Sequence, residues 1–144
     1  MKLETRVLGL KDYDALLSLW NKAGLSHRPE GRDSKSSIIA QMRRDKGLFL
    51  GAFRENRLVG SAIASYDGRK GWINRLAVDP EERRKGVAKA LIETAESVLR
   101  DRGSLIIAAL VEADNSPSIA LFQKCGYKVH RDILYLTKRE SEQV

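Results

Sequence analysis

The amino-acid sequence predicts a mixed α/β fold, a β-sheet with helices on both faces, and three features carry that prediction. Apolar residues recur at helical spacing over residues 12–23, take on strand character from residue 48 to 78, and return to helical spacing after residue 86. The middle stretches "LFLGAF", "LVGSAIASY" and "WINRLAV" are separated by "ENR" and "DGRKG", short polar turns that make an antiparallel meander. Downstream, "SLIIAALV" is a continuous apolar run, the pattern of a strand buried on both faces.

Taken in order, a first strand precedes Asp12, and Tyr13, Leu16, Leu17, Trp20 and Ala23 then form the apolar stripe of a helix with Asp12 as its N-cap. The polar loop "GLSHRPEGRDSKSS", residues 24–37, leads to a short second helix marked by Ile38, Ile39 and Met42. After the meander comes a helix with Ala88, Leu91, Ile92, Ala95, Val98 and Leu99 on its buried side and Gly103 as its stop. The strand "SLIIAALV" follows, then "SPSIALFQKCG", a short helix with Pro117 in its first turn. "YKVH" and "ILYLTKR" close the chain as a hairpin, which brings the expected sheet to seven strands.

At 144 residues the chain fits a single domain, 1–144, with an ordinary core. No apolar run approaches the roughly 18 residues that span a bilayer, and the start, "MKLETRVLGLKDYD", is too polar for a signal peptide, so a cytoplasmic protein is expected. The lone cysteine, Cys125, excludes an internal disulfide and a multi-thiolate metal site, and His27 and His130 have no ligand partners near them in sequence. No metal is expected. A net charge of +7 suits an anionic partner or a solvated surface. Nucleic acid is disfavoured as that partner, because the cations are spread along the chain with no basic helix or aromatic-and-basic strand.

One local feature stands out against this background. "RRKG", residues 83–86, places three cations and a glycine at the start of a helix, where like charges repel and glycine is a poor helix former. A glycine there lets a ligand approach the backbone, and the unpaired first-turn amides of the helix favour an anion such as phosphate. The stretch is neither a P-loop, since G-x-x-x-x-G-K-[ST] is absent, nor a dinucleotide fingerprint, since Gly86 stands without G-x-G-x-x-G.

"INRLAVDPEERRKGVAKALIETAESVLRDRG" instead resembles the acetyl-coenzyme A motif of the GNAT superfamily of N-acetyltransferases, a strand L-x-V-x-P, then R-x-x-G-x-A, then an amphipathic helix. "LVEADNSPSIALFQKCGY" resembles the family's second motif, an asparagine followed by a short helix ending in G-[FY], and the element order is also the family's. "LFLGAF", "SYDGRKGW" and the ending "GYKVHRDILYLTKR" look like a small bacterial and archaeal branch of it. The resemblance implies a mostly antiparallel sheet whose central parallel strands splay apart between "INRLAV" and "IIAALV". It implies that Arg83, Arg84, Lys85, Gly86, Val87, Ala88 and Lys89 hold the pyrophosphate of acetyl-coenzyme A. The backbone of Leu76, Ala77 and Val78 would pair with the pantetheine arm, and Asn115, Ser118 and Phe122 would belong to the second motif's part of the site.

The implied reaction is direct attack of an amine acceptor on the thioester in a ternary complex, with a backbone N–H near residues 76–78 stabilising the oxyanion. The positions at which many relatives carry a glutamate hold Asn74 and Leu110 here, and neither accepts a proton. Glu112 is the nearest carboxylate able to act through a water, with an exposed strand-end charge as the competing reading. Phe122 stands where many relatives have the tyrosine that protonates the departing thiolate; Tyr127, Tyr135 and Tyr66 are the other tyrosines within reach, each also readable as packing. Cys125, Trp20 and Trp72 read as packing residues, and His27, with Arg28, Glu30 and Arg32, as loop residues on the acceptor side. A coenzyme A-binding sensor without turnover is the alternative function. The open edge of the last hairpin offers a route to a homodimer.

Overall fold

The computed structural model describes residues 2–25 and 31–141. Five strands, β1 (Leu3–Val7), β2 (Phe49–Arg54), β3 (Arg57–Tyr66), β4 (Lys70–Val78) and β5 (Ile106–Ala109), lie side by side in chain order. The first four pair antiparallel, and β5 joins β4 in parallel. The helices are α1 (Tyr13–Ala23), α2 (Lys35–Arg44), α3 (Val87–Asp101) and α4 (Ser116–Lys124).

Period-two alternation along the strands divides the core between the two faces of the sheet. On one face Leu50, Ala52, Ala62, Ala64 and Ile73 meet Leu91, Ile92, Ala95 and Leu99 of α3 and Phe122 of α4. On the other, Phe49, Ile63 and Ala77 meet Leu16 and Trp20 of α1 and Ile38 and Met42 of α2. Gly60 sets how closely α3 approaches: a Cβ added there would stand 2.6 Å from Val87 and 2.9 Å from Leu91. The "ENR" turn has positive φ at Glu55 and Asn56, 53° and 64°, the geometry of a tight type I′ hairpin. In the "DGRKG" turn, Asp67 accepts hydrogen bonds from the amides of Arg69 and Lys70 at 2.8 and 2.7 Å.

Three expectations are corrected. Asp12 holds the N-cap position of α1, but its side chain makes no capping bond to that helix: it ends a 3₁₀ turn, Leu10–Asp12, and its carboxylate accepts from the Gly9 amide at 2.8 Å and from both Arg6 guanidinium nitrogens at 3.0 Å. The final hairpin is absent, since residues 128–141 form no helix or strand. Between residues 127 and 141 the one strong turn former is Asp132, at a bend, with no glycine, asparagine or proline beside it to close a tight hairpin. In consequence β5 is not buried on both faces. With only β4 beside it, it leaves Leu105 95%, Ile106 55% and Leu110 56% exposed.

The Asp12 cluster makes stability depend on acid. Its hydrogen bond from Arg6 holds the Asp12 carboxyl below its ordinary value of 3.8, despite partial burial. A lowered folded value means that this contribution is complete above the unfolded value and disappears as pH falls through the folded one. Thermal melts should therefore hold steady down to about pH 4 and fall below it. Asp12→Asn should melt lower than the wild type at pH 7, with the difference narrowing in acid.

Candidate functional site

The sequence feature with the least local justification, the RRKG loop, lies beside a break in the sheet. β4 stays paired with β3 as far as Val78, but its pairing with β5 ends at Ile73 and Ala109. Past that point the two parallel strands have no register, and among the described residues no strand pairs with the edge of Asn74–Val78 that faces away from β3. Ligands of open α/β sheets bind in such crevices, at the carboxyl ends of parallel strands. Within the parted half, β4 carries a bulge: Arg75 and Leu76 together oppose Ala62, and Arg75 has φ +52°.

β4 then runs into a loop that delivers α3 to the same end of the sheet. Asp79 caps the 3₁₀ turn Pro80–Glu82 by accepting from the Glu81 amide at 3.0 Å. Both acids are buried and paired: Glu82 lies 2.8 Å from Arg54 and 3.3 Å from Arg57, and Asp79 lies 3.2 Å from Arg57. The Arg54 hydrogen bond holds the Glu82 carboxyl below its usual range. These pairs fix the base of the loop, so the exposed Arg83, Arg84 and Lys85 extend from a rigid footing.

Gly86 caps α3 in the left-handed region, φ +82°, and a Cβ added to it would meet nothing within 4 Å. The first intrahelical bond runs from the Ala90 amide to the Gly86 carbonyl at 3.0 Å, leaving the amides of Val87, Ala88 and Lys89 ahead of it. Open space over a glycine, three first-turn amides and four cations, counting Lys89, make a cradle whose chemistry suits a phosphorylated ligand.

The other predicted residues separate into two groups. Asn115 caps α4 by accepting from the Ser118 amide at 3.3 Å, and Phe122 is buried edge-to-face against Tyr127 with ring centroids 5.0 Å apart. Tyr127 donates to Glu96 at 2.7 Å, and burial together with that carboxylate raises its pKa, so it is a packed corner rather than a proton donor. Burial likewise raises the Cys125 thiol, the reverse of an activated nucleophile. Glu112 is exposed, past the end of β5, with its carbonyl accepting from the Asn115 amide at 2.9 Å. Tyr135 is 69% exposed, and Tyr66 packs against the core. His27, Arg28 and Glu30 lie outside the described residues; Arg32 is exposed, 3.9 Å from Asp33.

Sequence reasoning passed over a cluster behind the bulge. Arg75 lies 2.7 Å from Asp33 and has its guanidinium 5.1 Å from the centroid of the Trp20 ring, while the Trp20 indole N–H donates to the buried Ser61 hydroxyl at 3.2 Å. The cluster ties the polar loop before α2 to the distorted strand. A tryptophan on a buried stripe has to find an acceptor for its N–H, and that requirement was the available signal. A concavity of about 440 Å³ elsewhere, between β1 and α3, is open and has Glu93 as the one charged group lining it. Among the described residues no three His, Cys, Asp or Glu side chains group as for a metal, and no helix is long and apolar enough to cross a membrane.

Comparison with known proteins matches this geometry. The family model described as acetyltransferase (GNAT) family matches residues 13–127. An acetyltransferase of Sodalis glossinidius (strain morsitans) is 34% identical over 137 residues, which is 95% of each chain. The chain belongs to the GNAT acetyltransferase family. Among solved members, the PaiA N-acetyltransferase of Thermoplasma acidophilum, in complex with coenzyme A, superposes with a TM-score of 0.80 at 25% identity, over 90% of this chain and 92% of that one. An acetyltransferase of Trypanosoma brucei superposes with a TM-score of 0.71 at 27% identity, over 95% of this chain and 100% of that one. The GNAT assignment accounts for the mixed sheet, its helices on both faces and the order of its elements.

Proposed function

We propose that residues 1–144 form one N-acetyltransferase domain that moves acetyl from acetyl-coenzyme A to a primary amine, on a small molecule or a protein, by direct attack in a ternary complex. The parting of β4 from β5 beside the Gly86 helix start is the observation that carries this reading. The residues fit the cosubstrate. The cradle of residues 83–89 offers amides and cations to a pyrophosphate, and the open β4 edge at Leu76, Ala77 and Val78 offers strand-type hydrogen bonds to an extended amide-bearing arm. On this reading Asn115, Ser118 and Phe122, at and within α4, belong to the second motif's part of the site. Acetyl-coenzyme A supplies the activated acyl group. The PaiA structure with coenzyme A, at 25% identity, supports the assignment.

Within this reading each group has a defined task. A β4 amide at residues 76–78 donates to the oxygen that gains charge during attack, a class of contact worth about 3 kcal/mol. Glu112 accepts the ammonium proton through a water, and its exposure past the end of β5 keeps it accessible. No acid stands at Phe122, so the thiolate departs unprotonated. Cytoplasmic residence fits a chain with one thiol and no disulfide.

The test is thiol release from acetyl-coenzyme A with a panel of amines: a peptide N-terminus, lysine, a polyamine, an amino acid and a small aromatic amine. Release with one of them is the expected result. Tight coenzyme binding without release for any acceptor would favour the sensor, which the buried hydroxyl-free Phe122 otherwise supports. Glu112→Gln should lower kcat at least ~100-fold at neutral pH with little change in the KM for acetyl-coenzyme A. A variant with wild-type rates across pH would remove Glu112 from the mechanism.

A further inference from the structure

The bulge in β4 lies where the proposed chemistry needs a well-aimed amide, and its backbone is strained. Arg75 has φ +52°, a left-handed conformation that a residue with a side chain disfavours, inside a strand. Such a conformation persists only where the surroundings over-determine it, and strain of this kind collects at functional sites. Leu76, the next residue, carries the first of the three amides, 76–78, to which the oxyanion is assigned.

A chain of contacts holds Arg75 in place. The Asp33 carboxylate lies 2.7 Å from the guanidinium and is buried, so salt screens the pair weakly. Asp33 is itself pinned, because the Tyr13 hydroxyl donates to its carbonyl at 3.2 Å. On the other side the guanidinium lies over the Trp20 ring, and the Trp20 N–H is bound by Ser61, the β3 residue that pairs with Ala77. Tyr13 and Trp20 stand two turns apart on α1 and share its buried face. One helix therefore locates both groups that grip the bulge. A pair that only closed this side of the core could start from a strand residue of ordinary φ. Here the strained residue directly precedes the amide that would meet the developing charge.

We infer that Arg75 and Asp33 are positioning residues for acetyl transfer: their ion pair fixes the bulge, and the bulge sets the orientation of the Leu76 amide toward the thioester oxygen. Both act through the backbone and not on the reacting atoms. The inference rests on the proposed acetyl transfer and adds the residues that set its donor geometry. A misdirected donor costs turnover, whereas the phosphate cradle of residues 83–89 keeps its own footing and continues to bind coenzyme.

Steady-state thiol release, with the amine that the wild type turns over best, tests the inference alongside calorimetric titration of coenzyme A into each variant. Asp33→Asn keeps the shape and an accepting oxygen but removes the charge. It should lower kcat at least ~10-fold, with the KM for acetyl-coenzyme A and the coenzyme A affinity within about 3-fold of the wild type. Arg75→Lys should recover part of the kcat lost in Arg75→Ala, because it keeps a cation for Asp33. Arg75→Gly should also exceed Arg75→Ala, since glycine adopts φ +52° unaided. Circular dichroism confirms folding at the assay temperature, and if Asp33→Asn does not fold, the three Arg75 variants decide. Wild-type kcat in a folded Asp33→Asn would overturn the inference and leave acetyl transfer standing, as would equal kcat in all three Arg75 variants. A loss shared equally by kcat and coenzyme affinity would overturn it too, by marking a general distortion. A wild type that binds coenzyme A yet releases thiol with no amine would overturn acetyl transfer and the inference together.

Discussion

Replacing Gly86 with leucine is expected to weaken coenzyme A binding at least ~100-fold, a loss of about 2.7 kcal/mol, in a protein that still folds. Two separate effects act at this position. The φ of +82° is a left-handed conformation that a side chain disfavours, which costs roughly 1–2 kcal/mol of stability. The new side chain meets no protein atom within 4 Å of its Cβ, so the fold accommodates it, but it fills the space over the α3 amides where a phosphate would sit. Gly68→Leu separates the two effects. Gly68 has φ +94°, equally open surroundings and a place at the opposite end of β4, in the turn from β3. It should lower the melting temperature comparably and leave coenzyme affinity intact. Equal binding losses in both variants would trace the Gly86 effect to general destabilisation.

Arg75→Ala is expected to destabilise the fold by about 2–4 kcal/mol in chemical denaturation, through the loss of a partly buried ion pair and of a cation stacked on an aromatic ring. The Asp33 carboxylate that would lose this partner is 5% exposed, so water replaces the guanidinium poorly. Arg75→Lys should recover only part of the loss, because an ammonium cannot both stack on Trp20 and reach Asp33 in the same fork geometry. Backbone conformation gives a sharper comparison. In an ordinary strand glycine is worse than alanine, but Arg75 has φ +52° in the β4 bulge. Arg75→Gly should therefore be the more stable of the two by roughly 1 kcal/mol. The opposite order would mean that the bulge relaxes once the guanidinium is gone.

The parts of this protein that could be read from its sequence are those specified by nearby residues. The α3 stripe of Leu91, Ile92, Ala95 and Leu99 follows from a 3.6-residue period, and the meander follows from turns whose residues adopt positive φ, as Glu55 and Asn56 do. The RRKG loop was legible for the opposite reason: it opposes local helix formation, and sequences that break a local rule tend to mark function. Features that depend on distant partners were not legible. "ILYLTKR" has every property of a strand except a partner, and pattern alone does not say whether that partner lies in the same copy. The expected double-sided burial of β5 depended on that hairpin and fell with it.

Side-chain choices made over distance were equally hidden. Asp12 was free to cap α1 or to turn back toward Arg6 and Gly9, and the guanidinium six residues upstream decided the outcome. The Asp33–Arg75 pair joins residues 42 apart, and the parting of β4 from β5 is a property of two strands and of neither alone. Asn74 and Leu110 carry no proton-accepting group, so the sequence singles out Glu112 by elimination among neighbours.

Calorimetric titration of free coenzyme A into the wild-type protein, paired with thermal melts, is the most direct measurement of the central claim that the Gly86 cradle binds this cosubstrate. Saturable one-site binding is expected, with about 2.7 kcal/mol of added stability at 100 times the dissociation constant. A chain that melts cooperatively yet gives neither heat nor shift with coenzyme A or acetyl-coenzyme A would contradict that claim, and the cations of residues 83–85 would then have to serve a different anion.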